Sequence, residues 1–201
     1  MLIFPLAVLF TGCTVDRDLD FTPRPGASGY ALLYYWDFND TDTEEALMTP
    51  RSEFESAHIE FEGNFFDDVS DGSDINLRES SEPGAALRLR NPSRHLDITF
   101  STVGFGDVLI TYALMRTNNG ALRQRYAVST DGGNNFTEAP VSDMVTEVLT
   151  DWHAVEIDLA AWLSANDNPE VTLRIIMEEG NTGDSGNHRI DNLSIEAKPL
   201  D

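Results

Sequence analysis

AALRLRNPSRHLDITFSTVGFGDVLITYALMR, residues 85–116, contains three apolar-patterned runs separated by Asn, Pro, Ser and Gly. In AALRLR (85–90), Leu87 and Leu89 alternate with Arg88 and Arg90; in LDITFS (96–101), Ile98 and Phe100 alternate with Asp97 and Thr99. A period of two sends successive side chains to opposite faces, so each run reads as a strand with one dry face and one wet face. VLITYALM (108–115) is apolar on both faces, which places it centrally, covered by a second sheet or by loops.

The same pattern extends outward in both directions. YALLYYWDF (30–38), RQRYAVST (123–130), WHAVEIDL (152–159), VTLRIIM (171–177) and HRIDNLSIEA (188–197) are β-branched or aromatic runs bounded by Gly, Asn, Asp and Pro, with almost no helical periodicity. LLYYW (32–36) is again apolar on both faces and is expected to be central. Eight strands of this kind predict an all-β fold, an antiparallel two-sheet jelly-roll β-sandwich. The acidic stretch 44–74, which includes FEGNFFDD (61–68), is expected to hold one more strand or an elaborate surface loop.

With 201 residues and 41% hydrophobic content, the chain has material for one domain and its core. MLIFPLAVLFTG (1–12) is apolar but shorter than the ~20 residues a spanning helix needs, and reads as a signal peptide. LFTGC (9–13) resembles a bacterial lipobox, with Phe10 where that pattern prefers Leu; the resemblance implies lipidation of Cys13. As Cys13 is the only cysteine, an internal disulfide framework is excluded. Residues 13–28, polar and with two prolines, suit a flexible tether, and the sandwich domain is expected over 29–198. The expected location is the bacterial cell envelope, anchored by lipid in the outer membrane, with the bilayer a partner through the anchor only.

Acidic residues outnumber basic ones 35 to 13, for a formal charge of −22. That field repels phosphate backbones and anionic lipid surfaces, which argues against nucleic acid as a partner. Twelve of the thirteen basic residues are arginine, and Lys198 is the only lysine. Most of the carboxylates are expected to form a solvated surface; some could converge on Ca²⁺, which takes several oxygen ligands.

Catalytic signatures are weak. His58, His95, His153 and His188 show neither H-x-H nor H-E-x-x-H spacing, and neither GxSxG nor a phosphate-cradling glycine loop occurs. STDGGNNF (129–136) fits the Asp-box pattern of sialidases, with Ser129, Asp131, Gly133 and Phe136 at its four positions. In that family the box is a hairpin device repeated on propeller blades, and it is not catalytic. It occurs once here in a chain too short for a propeller, so it is expected to be a structural β-hairpin, with Asp131 binding amides of its own turn and Phe136 packing beneath.

YAVSTDGGNNF, the Trp-led WHAVEIDL, ANDNPEVTLRIIM, the loop GNTGDSGNHR and the closing RIDNLSIEA together resemble a jelly-roll module of secreted bacterial surface proteins, similar to MAM-like and choice-of-anchor domains. The resemblance implies a concanavalin-like or galactose-binding-like sandwich serving adhesion or glycan contact, with no catalytic residue carried over. Similar carbohydrate-binding modules hold a structural Ca²⁺ where the first and last strands pair. The matching positions here are Asp37 and Asp191, with Asn39 and Asp40 as further oxygen donors. The expected function is therefore a non-catalytic surface binding or adhesion module for glycan or protein. Its expected sign is Trp36, Trp152 or Trp162 gathered on a concave sheet or a loop rim. Two other readings stand beside it: a purely structural or spacer lipoprotein, and a hydrolase with a degenerate signature, which needs a pocket holding two close carboxylates of separated proton affinity.

Overall fold

A computed structural model of the chain describes residues 29–52, 54, 57–61, 69–91, 95–137, 145–179 and 185–201. The eight expected strands form as β1 (Ala31–Trp36), β4 (Ala85–Arg90), β5 (His95–Phe100), β6 (Phe105–Arg116), β7 (Arg123–Ser129), β9 (His153–Asp158), β10 (Val171–Glu178) and β11 (Asn187–Pro199). Three short strands join them: β2 (His58–Phe61), β3 (Val69–Asp71) and β8 (Val145–Glu147). The described part of the stretch 44–74 thus carries more structure than expected, namely the helix α1 (Glu44–Met48), β2 and β3, while 62–68 of FEGNFFDD lie outside the described residues, as do the expected leader, Cys13 and the tether to residue 28. Thr43 caps α1, its Oγ1 accepting the Ala46 amide at 3.0 Å.

The strands form two sheets. Sheet A runs β3-β4-β11-β6-β9, with β1 also pairing to β11; sheet B runs β2-β5-β10-β7-β8. All these pairings are antiparallel. From β4 to β7 the chain changes sheet at every step, and it does so again from β8 to β11, which is the jelly-roll path. Alternation builds the core between the sheets: Leu96, Ile98 and Phe100 from β5 are fully buried against Leu87, Ile110, Ile190 and Ile195 of sheet A. Each such side chain contributes about 1.5–3 kcal/mol relative to exposure.

Strand β11 organises sheet A. On one edge it pairs first with β4 (Asn187–Ile190) and then with β1 (Leu193–Ala197); β6 lies along the other edge. Between the two pairings the register slips and Asn192 takes a left-handed φ of 49°. Asp191 and Asn192 therefore sit at the seam where β1 and β4 meet on β11.

The segment 72–84 folds over the outside of sheet A at this seam. Asn76 Nδ2 donates to Asn192 O at 2.6 Å, and Asn192 Nδ2 donates to Ser73 O and Ile75 O at 2.9 Å each. Tyr35 Oη donates to Asn192 Oδ1 at 2.7 Å, and Arg78 Nε donates to Glu196 Oε1 at 2.9 Å. This cover explains why β1 is buried on both faces: Tyr34 and Trp36 enter the core, while Tyr35 joins the network at the seam.

A second polar network lies between the sheets. His188, 1% exposed, donates from Nε2 to Ala121 O at 2.7 Å, so its Nδ1 accepts from the Gln124 amide at 3.1 Å. Tyr112 Oη in turn donates to Gln124 Oε1 at 2.6 Å. Burial holds the imidazole neutral and lowers its pKa to about 4. His188 is thus a packing residue of the core.

Candidate ligand-binding faces

The seam collects the residues expected to bind Ca²⁺, but it gives their oxygens other partners. Asp37 is ion-paired with Arg51 at 2.6 Å, accepts the Ser81 hydroxyl at 3.0 Å and also accepts the Asn39 amide. Asp191 accepts the Ser73 amide at 2.6 Å and the Asn192 amide at 2.8 Å. Asn39 Oδ1 accepts the Ala85 amide at 2.7 Å, and its Nδ2 donates to Glu82 O. Asp40 stands exposed, accepting the Asp42 amide. Among the described residues no three His, Cys, Asp or Glu side chains come together as a metal site. Asp37, Asn39, Asp40 and Asp191 therefore do not fit one Ca²⁺ shell: the first and last strands do pair, but an arginine already neutralises one carboxylate.

The other carboxylate is relieved by a proton. Asp191 is 1% exposed, and burial, the largest cause, raises its pKa to about 7, with the nearby Asp37 adding to the rise and the two amides opposing it. A cleft of about 490 Å³ opens beside Asp37, lined also by Phe38, Asp40, Glu45 and Arg51. Asp191 does not line it.

The 129–136 segment is a self-contained turn. Ser129 Oγ donates to Asp131 Oδ1 at 2.7 Å and accepts the Gly133 amide at 2.9 Å, and Asp131 Oδ1 accepts the Asn135 amide at 2.9 Å. Gly132 and Gly133 supply the positive φ values, 68° and 83°, that the turn needs. The Asn135 side chain and the Ser129 hydroxyl lower the Asp131 pKa to about 2. Phe136 lies under the Arg174 guanidinium, 3.9 Å from ring centroid to Cζ.

The three tryptophans do not form one platform. Trp36 is 1% exposed, with its Nε1 donating to Met48 O at 2.7 Å, so it is a core residue and not a ligand contact. Trp162 packs against the core beside the short 3₁₀ turn Leu163–Ala165. Trp152 is half-buried, stands just before β9 and is not among the residues packed on the core. Trp152 and Trp162 flank opposite ends of β9, roughly 20 Å apart at about 3.3 Å per strand residue.

The outer faces of the two sheets differ in how far their polar groups are satisfied. On sheet B, Arg174 holds Asp97 through two bonds of 2.7 and 2.6 Å, Arg125 holds Glu178 at 2.8 Å, and Arg123 holds Glu179 at 2.8 Å. Thr99 and Thr172 share a hydroxyl hydrogen bond at 2.9 Å. That face is closed on itself.

On sheet A the segment 72–84 covers one half and, among the described residues, nothing comparable covers the other, here called the open half. In the open half, Arg88 of β4, Arg189 of β11 and Met115 of β6 are direct cross-strand neighbours. Trp152 stands one residue beyond the last β6–β9 pair, Leu114–His153, which brings it level with Met115. Two polar atoms on this face of β11, Asn187 Oδ1 and Arg189 Nε, are buried without a hydrogen-bond partner. Such orphans are rare in folded proteins because each costs a desolvation penalty. Alternation in NHRIDNL already turned Arg189 away from His188 and Ile190; its alignment with Arg88 and Met115 required the register.

No family model matches the chain, and no curated protein matches it. Solved structures do align. The K2 cleaved adhesin domain of Lys-gingipain matches at TM-score 0.46 and 11% identity, over 84% of this chain and 98% of that one. TmCBM27, a carbohydrate-binding module described by its specific mannan recognition, matches at TM-score 0.43 and 14% identity, over 84% and 98%. The C-terminal CBM6 of LamC, a laminarinase of the marine Zobellia galactanivorans, matches at TM-score 0.35 and 15% identity, over 73% and 94%.

Proposed function

We propose that this chain is a non-catalytic binding module of the bacterial cell envelope, lipid-anchored through Cys13, that takes a glycan on the open half of the outer face of sheet A. The observation that supports it is the pair of orphaned polar atoms, Asn187 Oδ1 and Arg189 Nε, on the same face as Met115 and level with the half-buried Trp152. A sugar offers hydroxyls that can donate and accept, and a ring face of C–H groups that stacks on an indole. A spacer lipoprotein has no use for an acceptor and a donor left unsatisfied side by side. Against the hydrolase reading, Asp191, the carboxylate of raised proton affinity, is buried beneath Ser73 and does not line the Asp37 cleft.

Two measurements test the parts separately. On a glycan array the full chain is expected to retain one or more sugars, and Trp152→Ala to lose them with its melting temperature unchanged; retention by the variant removes this face from the proposal. Cys13→Ser is expected to move the chain from the membrane to the soluble fraction, because among the described residues no helix is long and apolar enough to cross a membrane. Continued membrane retention of the serine variant overturns the anchor.

A further inference from the structure

We infer that the sugar bound on this face carries an oxyanion, a carboxylate or a sulfate ester, and that Arg189 is the residue that reads it; this deepens the assignment of the ligand face and rests on it. Elsewhere among the described residues the arginines are committed. Arg51, Arg78, Arg123, Arg125 and Arg174 each hold a carboxylate, and Arg116 donates to the carbonyls of Thr117, Asn118 and Val148. Arg189 has neither kind of partner among the described residues: its Nη1 lies 4.0 Å from Met115 Sδ, a weak acceptor, and its Nε is buried with no acceptor. In a chain with 35 acidic residues and 13 basic ones, an arginine with neither a carboxylate nor a carbonyl to hold is a conspicuous departure.

Its placement adds to this. Arg88 is the direct cross-strand neighbour of Arg189 and, as a second donor-only guanidinium with an interaction of its own, offers it no acceptor. An oxyanion seated against Arg189 supplies the missing acceptor. The guanidinium fork matches the two oxygens of a carboxylate or sulfate, and the bond is charge-assisted. Among the described residues, the carboxylates of the same face lie elsewhere: Glu156 and Asp158 are exposed farther along β9, Glu196 is held by Arg78, and Asp191 is buried under Ser73. The oxyanion therefore belongs at the Arg189 end and the uncharged part of the sugar toward Trp152. Since the overall charge of −22 repels anions at long range, the preference is one of contact and not of steering.

Calorimetric titration of the full chain with three oligosaccharides of equal length tests this: a hexuronate, its carboxyl-reduced neutral form, and a sulfated one. Wild type is expected to bind one or both charged forms about ten- to a hundredfold more tightly than the neutral form, the worth of a charge-assisted bond. Arg189→Met, which keeps the apolar stem, is expected to abolish that preference and leave affinity for the neutral form unchanged. Arg189→Lys, which keeps a point charge without the fork, is expected to retain only part of it and serves should the methionine variant melt early. Preference for the hexuronate alone assigns a carboxylate, and preference for the sulfated form alone assigns a sulfate ester. Equal affinity for charged and neutral forms in wild type, or a preference that survives in Arg189→Met, overturns the role of Arg189; the ligand face itself then still stands if Trp152→Ala abolishes binding. Failure of wild type to bind any of the three overturns both.

Discussion

Replacing Arg78 with alanine is expected to destabilise the fold by about 3–5 kcal/mol, the usual consequence of removing one partner of a buried ion pair. The side chains of Arg78 and Glu196 are 7% and 5% exposed, and their 2.9 Å bond crosses from the segment 72–84 to β11. Arg78 also donates to the carbonyls of Asn76 and Leu77 and to the Thr111 hydroxyl. Without it the Glu196 carboxylate remains buried with no cation, and the segment loses its tie to the middle of the sheet. In a domain of this size the loss corresponds to a fall in Tm on the order of 10 °C. Pairing Arg78→Met with Glu196→Leu is expected to recover most of the loss, since apolar replacement of both partners removes the buried charge. Urea unfolding of the single and double variants checks this. A loss below about 1 kcal/mol for Arg78→Ala would show that the pair does not hold the segment in place.

The second large effect is on pH dependence. Asp191 has a folded pKa of about 7 against an ordinary 3.8, so between roughly pH 4 and 7 the native state holds a proton that the unfolded chain has released. Stability from this group is complete below pH 4 and falls as pH rises through that window. Three pKa units at 1.36 kcal/mol each set an upper bound of about 4 kcal/mol. Asp191→Asn is expected to flatten this slope. Its amide cannot accept from both Ser73 and Asn192 through separate oxygens as the carboxyl does, so the readout is the slope and not the absolute stability. Slopes that coincide for wild type and variant contradict the assignment. Since Arg51 is paired with Asp37 and a proton suffices to relieve Asp191, wild-type melts with and without a divalent-cation chelator are expected to superimpose.

What was legible in the sequence is what local alternation encodes. LDITFS and VTLRIIM declare their buried faces residue by residue, and all eight long strands appear within a few residues of where these patterns place them. The turn at 129–136 was equally readable, because Ser129, Asp131 and Gly133 bond to one another and to their immediate neighbours. The site was less so. Trp36 looked available because composition does not say which face of a doubly apolar strand meets solvent, and here it enters the core. The pairing of β1 with β11 was foreseen, but Arg51, which pairs with Asp37 beside it, comes from a stretch with no periodic pattern. Likewise nothing local in DGSDINLRESSEPG (71–84) reveals that Asn76 and Arg78 seal half a sheet face; that follows only from the long-range bonds to Asn192 and Glu196. The open half, and with it the significance of Arg189, is the remainder once that seal is known.

Ligand is expected to meet the open half of sheet A and not the self-paired face of sheet B. A glycan array probed with wild-type chain, Trp152→Ala on the first face and Phe136→Ala on the second tests it most directly. Sugars retained by wild type and by Phe136→Ala but lost by Trp152→Ala are the predicted result. Loss in Phe136→Ala with retention in Trp152→Ala would contradict it.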